Sequence, residues 1–123
     1  ERKAGHTEEI IRKQMIGSLK EISENDILKI TIAYEPVWAI GTGDTATPEQ
    51  AEEIHIYVRK LIADIYNTDI ADKIRIQYGG SVKPDNMSEL IMQKNIDGGL
   101  VGGASLKAES FVKIVNSCKS YLA

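Results

Sequence analysis

The chain has 123 residues, 27% of them charged, with 15 Lys+Arg against 18 Asp+Glu and a formal net charge of −3. A hydrophobic content of 42% supplies a core and excludes a disordered segment, and the mild acidity argues against a broad nucleic-acid or anionic-membrane surface. No run of about 18 apolar residues suits a bilayer span. The single cysteine, Cys118, has no internal partner for a disulfide, and no CxxC or His/Cys cluster offers a zinc site, which points to a reducing, cytoplasmic setting. The chain starts at Glu1 without a basic segment followed by an apolar one, so no secretory signal is expected and the start reads as internal.

The first predicted element is a helix. Thr7 offers a cap, Glu8 and Glu9 complement the positive end, and Ile11, Met15, Leu19 and Ile22 recur at helical spacing, with residues 23–26 closing it. Residues 28–35 alternate, with Leu28, Ile30, Ile32 and Tyr34 on one face and Lys29, Thr31, Ala33 and Glu35 on the other, which is the period of a strand. A loop over 36–46 leads to Thr47-Pro48-Glu49-Gln50, a capping box with proline at the first helical position. The helix that follows carries an apolar stripe of Ala51, Ile54, Val58, Leu61, Ile62 and Ile65. Residues 74–78 form the next strand and end in Gly79-Gly80-Ser81. A short helix over 86–92, a short strand over 98–101, a turn at Gly102-Gly103 and a last helix bearing Phe111, Ile114, Val115 and Cys118 complete the order. Helix, then strand, loop and helix three times over, is the pattern of an α/β fold with a parallel sheet.

Eight of the ten glycines, at 41, 43, 79, 80, 98, 99, 102 and 103, lie in or beside the connections that leave the C-terminal ends of strands. In α/β proteins ligands bind at that edge. Gly79-Gly80-Ser81 and Gly102-Gly103 both run toward helices, so backbone N–H groups and positive helix ends converge into a candidate phosphate site. The alternative is that these glycines only turn the chain. No dinucleotide fingerprint or Walker lysine motif is present.

Glu35 precedes Pro36, which holds it extended at the end of its strand. Beside Val37, Trp38 and Ile40 its carboxylate would be desolvated when the loop closes, which suits a general base. A solvated strand-end glutamate is the competing reading. The loop has stiff ends and a mobile, partly apolar middle at residues 40–43, which fits a lid over a site. His6 and His55 have no nucleophile or ligand partner in view, and Cys118 reads as a small core residue.

Ala33-Tyr34-Glu35-Pro36-Val37-Trp38-Ala39-Ile40-Gly41-Thr42-Gly43 closely resembles the base and lid of the triosephosphate isomerase family. Tyr78-Gly79-Gly80-Ser81-Val82 resembles its seventh strand and turn, and Leu100-Val101-Gly102-Gly103-Ala104-Ser105-Leu106 its eighth. The opening residues 1–5 resemble the segment before its fifth helix. The resemblance implies the C-terminal half of a (β/α)8 barrel over residues 1–123, helix 5 through helix 8, with no second domain. It implies the interconversion of dihydroxyacetone phosphate and D-glyceraldehyde 3-phosphate, a step of glycolysis, without metal or cofactor. Glu35 would be the base. Gly41, Ser81, Gly102 and Gly103 would bind the phosphate, and Leu100 would line the pocket. Pro36, Val37, Trp38, Ala39, Ile40, Thr42 and Gly43 would form the lid, held closed by Tyr78 and Ser81.

Two departures are visible: Asp44 stands where the family often has lysine, and Gly99 where it often has alanine. The family's electrophilic lysine and histidine, and the loop through which it forms homodimers, belong to the first half of the barrel and have no counterpart here. Losing one such donor costs about 2.7 to 4 kcal/mol of transition-state stabilisation. The expectation is a segment that carries base, lid and phosphate site, needs the missing N-terminal half and is inactive alone. Its alternative is a phosphate-binding half-barrel without isomerase activity. Thr31, Arg75 and Gln77 would face the barrel interior, so the isolated chain is expected to be oligomeric, aggregated or partly molten.

Overall fold

A computed structural model describes residues 6–36 and 46–119. Among them a parallel sheet of three strands runs in the order β1 (Thr31–Tyr34), β2 (Arg75–Tyr78), β3 (Gly98–Gly99). Helices α1 (His6–Ser18), α2 (Glu24–Ile27), α3 (Pro48–Ile65), α4 (Thr68–Lys73), α5 (Met87–Ile91) and α6 (Ala108–Lys119) accompany it, with a 3-10 turn at Gly103–Leu106. The α/β class and parallel sheet expected from the sequence are what the chain adopts.

The capping box of α3 is present in full. Thr47 Oγ1 accepts from Gln50 N at 3.1 Å and Gln50 Oε1 accepts from Thr47 N at 3.0 Å, with proline at the helix start. The stripe on α3 differs from the sequence reading at three places, one of them Ile54, which is only half-buried. Ile65 is exposed at the last turn, and His55 is buried with Ala51, Val58, Leu61 and Ile62.

Further corrections concern element boundaries and two short helices. The first helix already includes His6, so Thr7 lies in its first turn and does not cap it. Residues 23–26 do more than close a helix, because Ser23 Oγ accepts from Asp26 N at 3.2 Å and starts the one-turn α2. Leu28 therefore ends that helix and is 48% exposed, and the strand begins only at Thr31. Asn67 caps α4 through Oδ1 on Ile70 N at 2.9 Å, a helix that the sequence reading passed over.

The core lies on the helix side of the sheet. Ile11, Met15, Leu19, Ile27, Val58, Ile62, Ile74 and Ile76 form one cluster, while Tyr78, Val82, Met87, Leu90, Ile96 and Ile114 form a second. Each fully buried large aliphatic side chain contributes about 1.5 to 3 kcal/mol. On the other face Thr31, Ala33, Glu35 and Arg75 are exposed and Gln77 is partly so. That is the face a closed barrel would turn inward. Of the apolar positions expected to bury α6, only Ile114 does so; Phe111 and Val115 are exposed and Cys118 is half-buried. The helix packs on α5 and the 3-10 turn, which cover one flank alone.

Candidate active site

Register decides which residues meet. Tyr34 pairs with Tyr78 and Tyr78 with Gly99, all in parallel, so the three strands end level. The residues one step beyond are Glu35, Gly79 and Leu100. Gly79 N donates to Tyr34 O at 2.6 Å, and Leu100 N to Tyr78 O at 2.9 Å, which carries the ladder past the strands. A Cβ placed on Gly79 would sit 3.1 Å from Tyr34 O, 3.7 Å from Glu35 Cβ and 3.7 Å from Leu100 Cδ2. The carboxylate-bearing residue, the glycine turn and the leucine thus converge at the C-terminal edge of the sheet.

Beside them the two glycine turns enclose a concavity of about 660 Å³, lined among others by Gly80, Ser81, Lys83, Gly102, Gly103 and Lys107. Two turns bring their backbone to one place, and two lysines, offset by one carboxylate at Asp85, give it a positive balance. The turns differ from expectation in one respect. Gly102-Gly103 opens straight into the 3-10 turn at Gly103–Leu106, but Gly79-Gly80-Ser81 reaches α5 only at Met87. A turn fills the interval, with Lys83 O accepting from Asn86 N at 3.2 Å and from Met87 N at 3.1 Å. The Asn86 side chain holds that interval, with Oδ1 accepting from Lys83 N at 2.7 Å and Nδ2 donating to Ser81 O at 2.7 Å. Ser105 does the same for the second turn through its hydroxyl on Gly102 O at 2.6 Å.

Glu35 is exposed and opens onto a different groove, about 480 Å³, between α1 and β1. Pro36 beside it is buried. Val37, Trp38, Ala39, Ile40, Gly41, Thr42 and Gly43, the expected lid, and Asp44 lie outside the described residues. Tyr78 is 1% exposed; burial raises its phenol pKa, opposed by the backbone of Ala46 toward which its hydroxyl lies. Cys118 bonds to Ile114 O at 3.5 Å, and burial raises its thiol pKa, as befits a core residue.

The sequence reading missed the scaffold beneath this edge. Arg59 of α3 donates through Nε to Asn95 Oδ1 at 2.7 Å, through Nη2 to Asp97 Oδ2 at 2.7 Å, and through Nη1 to the carbonyls of Ala71 and Ile74. Asp97 Oδ2 also accepts from Ile76 N at 2.9 Å, and Asp97 N donates to Ile76 O at 2.9 Å. Glu52 receives Asn95 N at 2.9 Å and Asn95 Nδ2 at 2.8 Å. These bonds fix residues 95–97 against α3 and β2 and so set where β3, Leu100 and the second glycine turn emerge. A sequence signal existed only for the local caps; a charge pair 38 residues apart has none.

A sequence profile of triosephosphate isomerase matches residues 1–118. The chain belongs to the triosephosphate isomerase family. It is 56% identical over 115 residues to the triosephosphate isomerase of Ligilactobacillus salivarius, covering 94% of this chain and 46% of that protein. It is 50% identical over 119 residues to that of Chloroherpeton thalassium, covering 97% and 47% respectively. For Caldanaerobacter subterraneus subsp. tengcongensis the figures are 55% over 116 residues, with 94% of this chain and 47% of the relative. The chain therefore spans about half the length of the curated relatives it matches. Membership gives the three-stranded parallel sheet its context as part of a (β/α)8 barrel, and it accounts for the exposed face that bears Thr31 and Arg75. No helix among the described residues is long and apolar enough to cross a membrane.

Proposed function

We propose that this chain is the C-terminal half, helix 5 through helix 8, of a triosephosphate isomerase, and that it supplies the base, lid and phosphate site for interconverting dihydroxyacetone phosphate and D-glyceraldehyde 3-phosphate. The observation that carries the reading is the convergence of Glu35, Gly79 and Leu100 beside the concavity of the two glycine turns.

In this reading the substrate phosphate rests on Ser81, Gly102 and Gly103, with Gly41 completing its cradle when residues 36–43 close. Leu100 lines the pocket, and Tyr78 and Ser81 hold the closed lid. The Glu35 carboxylate removes a proton from the carbon next to the carbonyl, and the electrons pass to the carbonyl oxygen to give an enediolate. The hydroxyl proton passes to the former carbonyl oxygen while the same carboxyl returns the carbon-bound proton to the neighbouring carbon, so that the carbonyl changes place. The lysine and histidine donors that stabilise the enediolate oxygen come from an N-terminal half, so this chain alone is inactive and the complete enzyme is a homodimer. The reading calls on no metal, cofactor, nucleic acid or membrane, and a cytoplasmic glycolytic setting follows from it.

A second reading, a phosphate-binding half-barrel without isomerase activity, draws on one observation: Glu35 opens onto a groove separate from the glycine turns. Substitution in the assembled barrel separates the two. Glu35→Gln should lower kcat by about 10²- to 10⁴-fold with KM little changed, whereas Ser81→Ala should raise KM. Phosphate binding in a barrel that never isomerises would favour the second reading.

A further inference from the structure

One buried polar side chain is left unused by that mechanism. His55 of α3 is fully buried, and its imidazole lies beside both tyrosines that end β1 and β2. The ring centroids are 6.1 Å apart for Tyr34, edge-on at 86°, and 6.3 Å apart for Tyr78, tilted at 41°. Nδ1 is 3.0 Å from Asn95 O. A carbonyl only accepts, so the proton is on Nδ1 and Nε2 carries a lone pair. That Nε2 is buried and has no hydrogen-bond partner among the described residues. A polar ring with an orphaned nitrogen costs more to bury than leucine or phenylalanine would, so filling space does not account for it.

What the ring touches does. Tyr34 immediately precedes Glu35, and Tyr78 immediately precedes the Gly79-Gly80-Ser81 turn. The same ring is tethered through Asn95 to the segment that leads into β3. A single rigid group therefore borders the strand ends that carry the base and the first phosphate turn, and it is anchored to the strand that carries the second.

Resting on the isomerase reading, we propose that His55 is a positioning residue: acting through Tyr34 and Tyr78, it sets the separation between Glu35 and the phosphate-binding turns. A substrate held at one end and deprotonated at the other needs that separation held to within a fraction of an ångström. Phosphate alone, which occupies one end, does not.

The test uses the complete barrel, this chain preceded by the N-terminal half of a family member, with His55→Phe and His55→Asn. Phenylalanine keeps the ring and loses the tether to Asn95; asparagine keeps an N–H near the Nδ1 position and loses the ring. In barrels shown to be folded by circular dichroism at the assay temperature, both should lower kcat by about tenfold while the inhibition constant of inorganic phosphate stays within twofold of the unsubstituted value. If His55→Phe does not fold, His55→Asn carries the same comparison. An unchanged kcat in a folded variant, or a phosphate inhibition constant that rises in step with the loss of kcat, overturns the proposal while leaving the isomerase reading intact. An unsubstituted barrel without activity overturns both.

Discussion

The phenol of Tyr78 occupies the space that a Cβ on Gly80 would need. A methyl group there would overlap the tyrosine hydroxyl and Cζ and lie 2.8 Å from Cε2. The ring is 1% exposed and has nowhere to retreat. Gly80 is therefore fixed by its neighbour's side chain, and the turn that lines the anion concavity is built around a buried tyrosine. We expect Gly80→Ala to destabilise the complete barrel, this chain preceded by the N-terminal half of a family member, by about 1 to 3 kcal/mol through overpacking, measured by urea denaturation. Gly102→Ala, where a Cβ meets nothing within 4 Å, should cost less.

Arg59 serves four acceptors that lysine cannot reach together. Its side chain is 15% exposed and that of Asp97 is 30% exposed, so solvent screens the pair only in part. Arg59→Lys should cost about 1.5 to 3 kcal/mol. Because the network holds residues 95–97, amide exchange should rise first at Ile76, Asp97 and Leu100. A uniform rise across the chain would contradict the assignment.

Burial holds the pKa of His55 below its usual 6.5, against the Asn95 carbonyl and the Glu52 and Asp97 carboxylates, which pull it up, while Arg59 pushes it down. Between the depressed folded value and 6.5 the unfolded chain binds more protons, so stability rises with pH across that window. The contribution is complete above about pH 6.5 and is lost as pH falls through the folded pKa. Melting temperatures of the complete barrel between pH 5 and 7.5 should show this slope, and His55→Phe should flatten it.

The exposed sheet face and the outer edge of β1 predict association. Thr31, Ala33 and Arg75 face solvent, and the groove along β1 is lined by Ile11, Met15, Leu19 and Ile32. An uncovered parallel edge beside apolar side chains pairs with other chains. Sedimentation of the isolated 123-residue chain should show oligomers or aggregates, with weak near-ultraviolet circular dichroism. A well-folded monomer would contradict this.

The sequence made legible what is local. The Thr47 capping box, the alternation of residues 74–78 and the glycine turns at 79–81 and 102–103 each depend on neighbours within a few residues, and each lies where the pattern puts it. The one-turn α2 and the six-residue α4 escaped because helices that short have no apolar period to read, although Ser23 and Asn67 are both good caps. Leu28 continues the alternation yet caps α2 instead, because alternation does not mark where a strand begins. The Arg59 network and the burial of His55 are tertiary facts: each partner lies on another element, so no window of sequence contains the pair. For Glu35, periodicity gave its place at a strand end, and only register brought it level with Gly79 and Leu100.

The central claim is that this chain holds the base and the phosphate site of an isomerase whose carbonyl-polarising groups lie in another segment. Its most direct test is the rate of dihydroxyacetone phosphate isomerisation by the purified chain alone, by the chain combined with an N-terminal half, and by the same combination carrying Glu35→Gln. We expect no activity from the chain alone, activity from the combination, and a loss of at least about 10²-fold with Glu35→Gln. Full activity from the isolated chain, or a combination whose rate is indifferent to Glu35→Gln, would contradict the account.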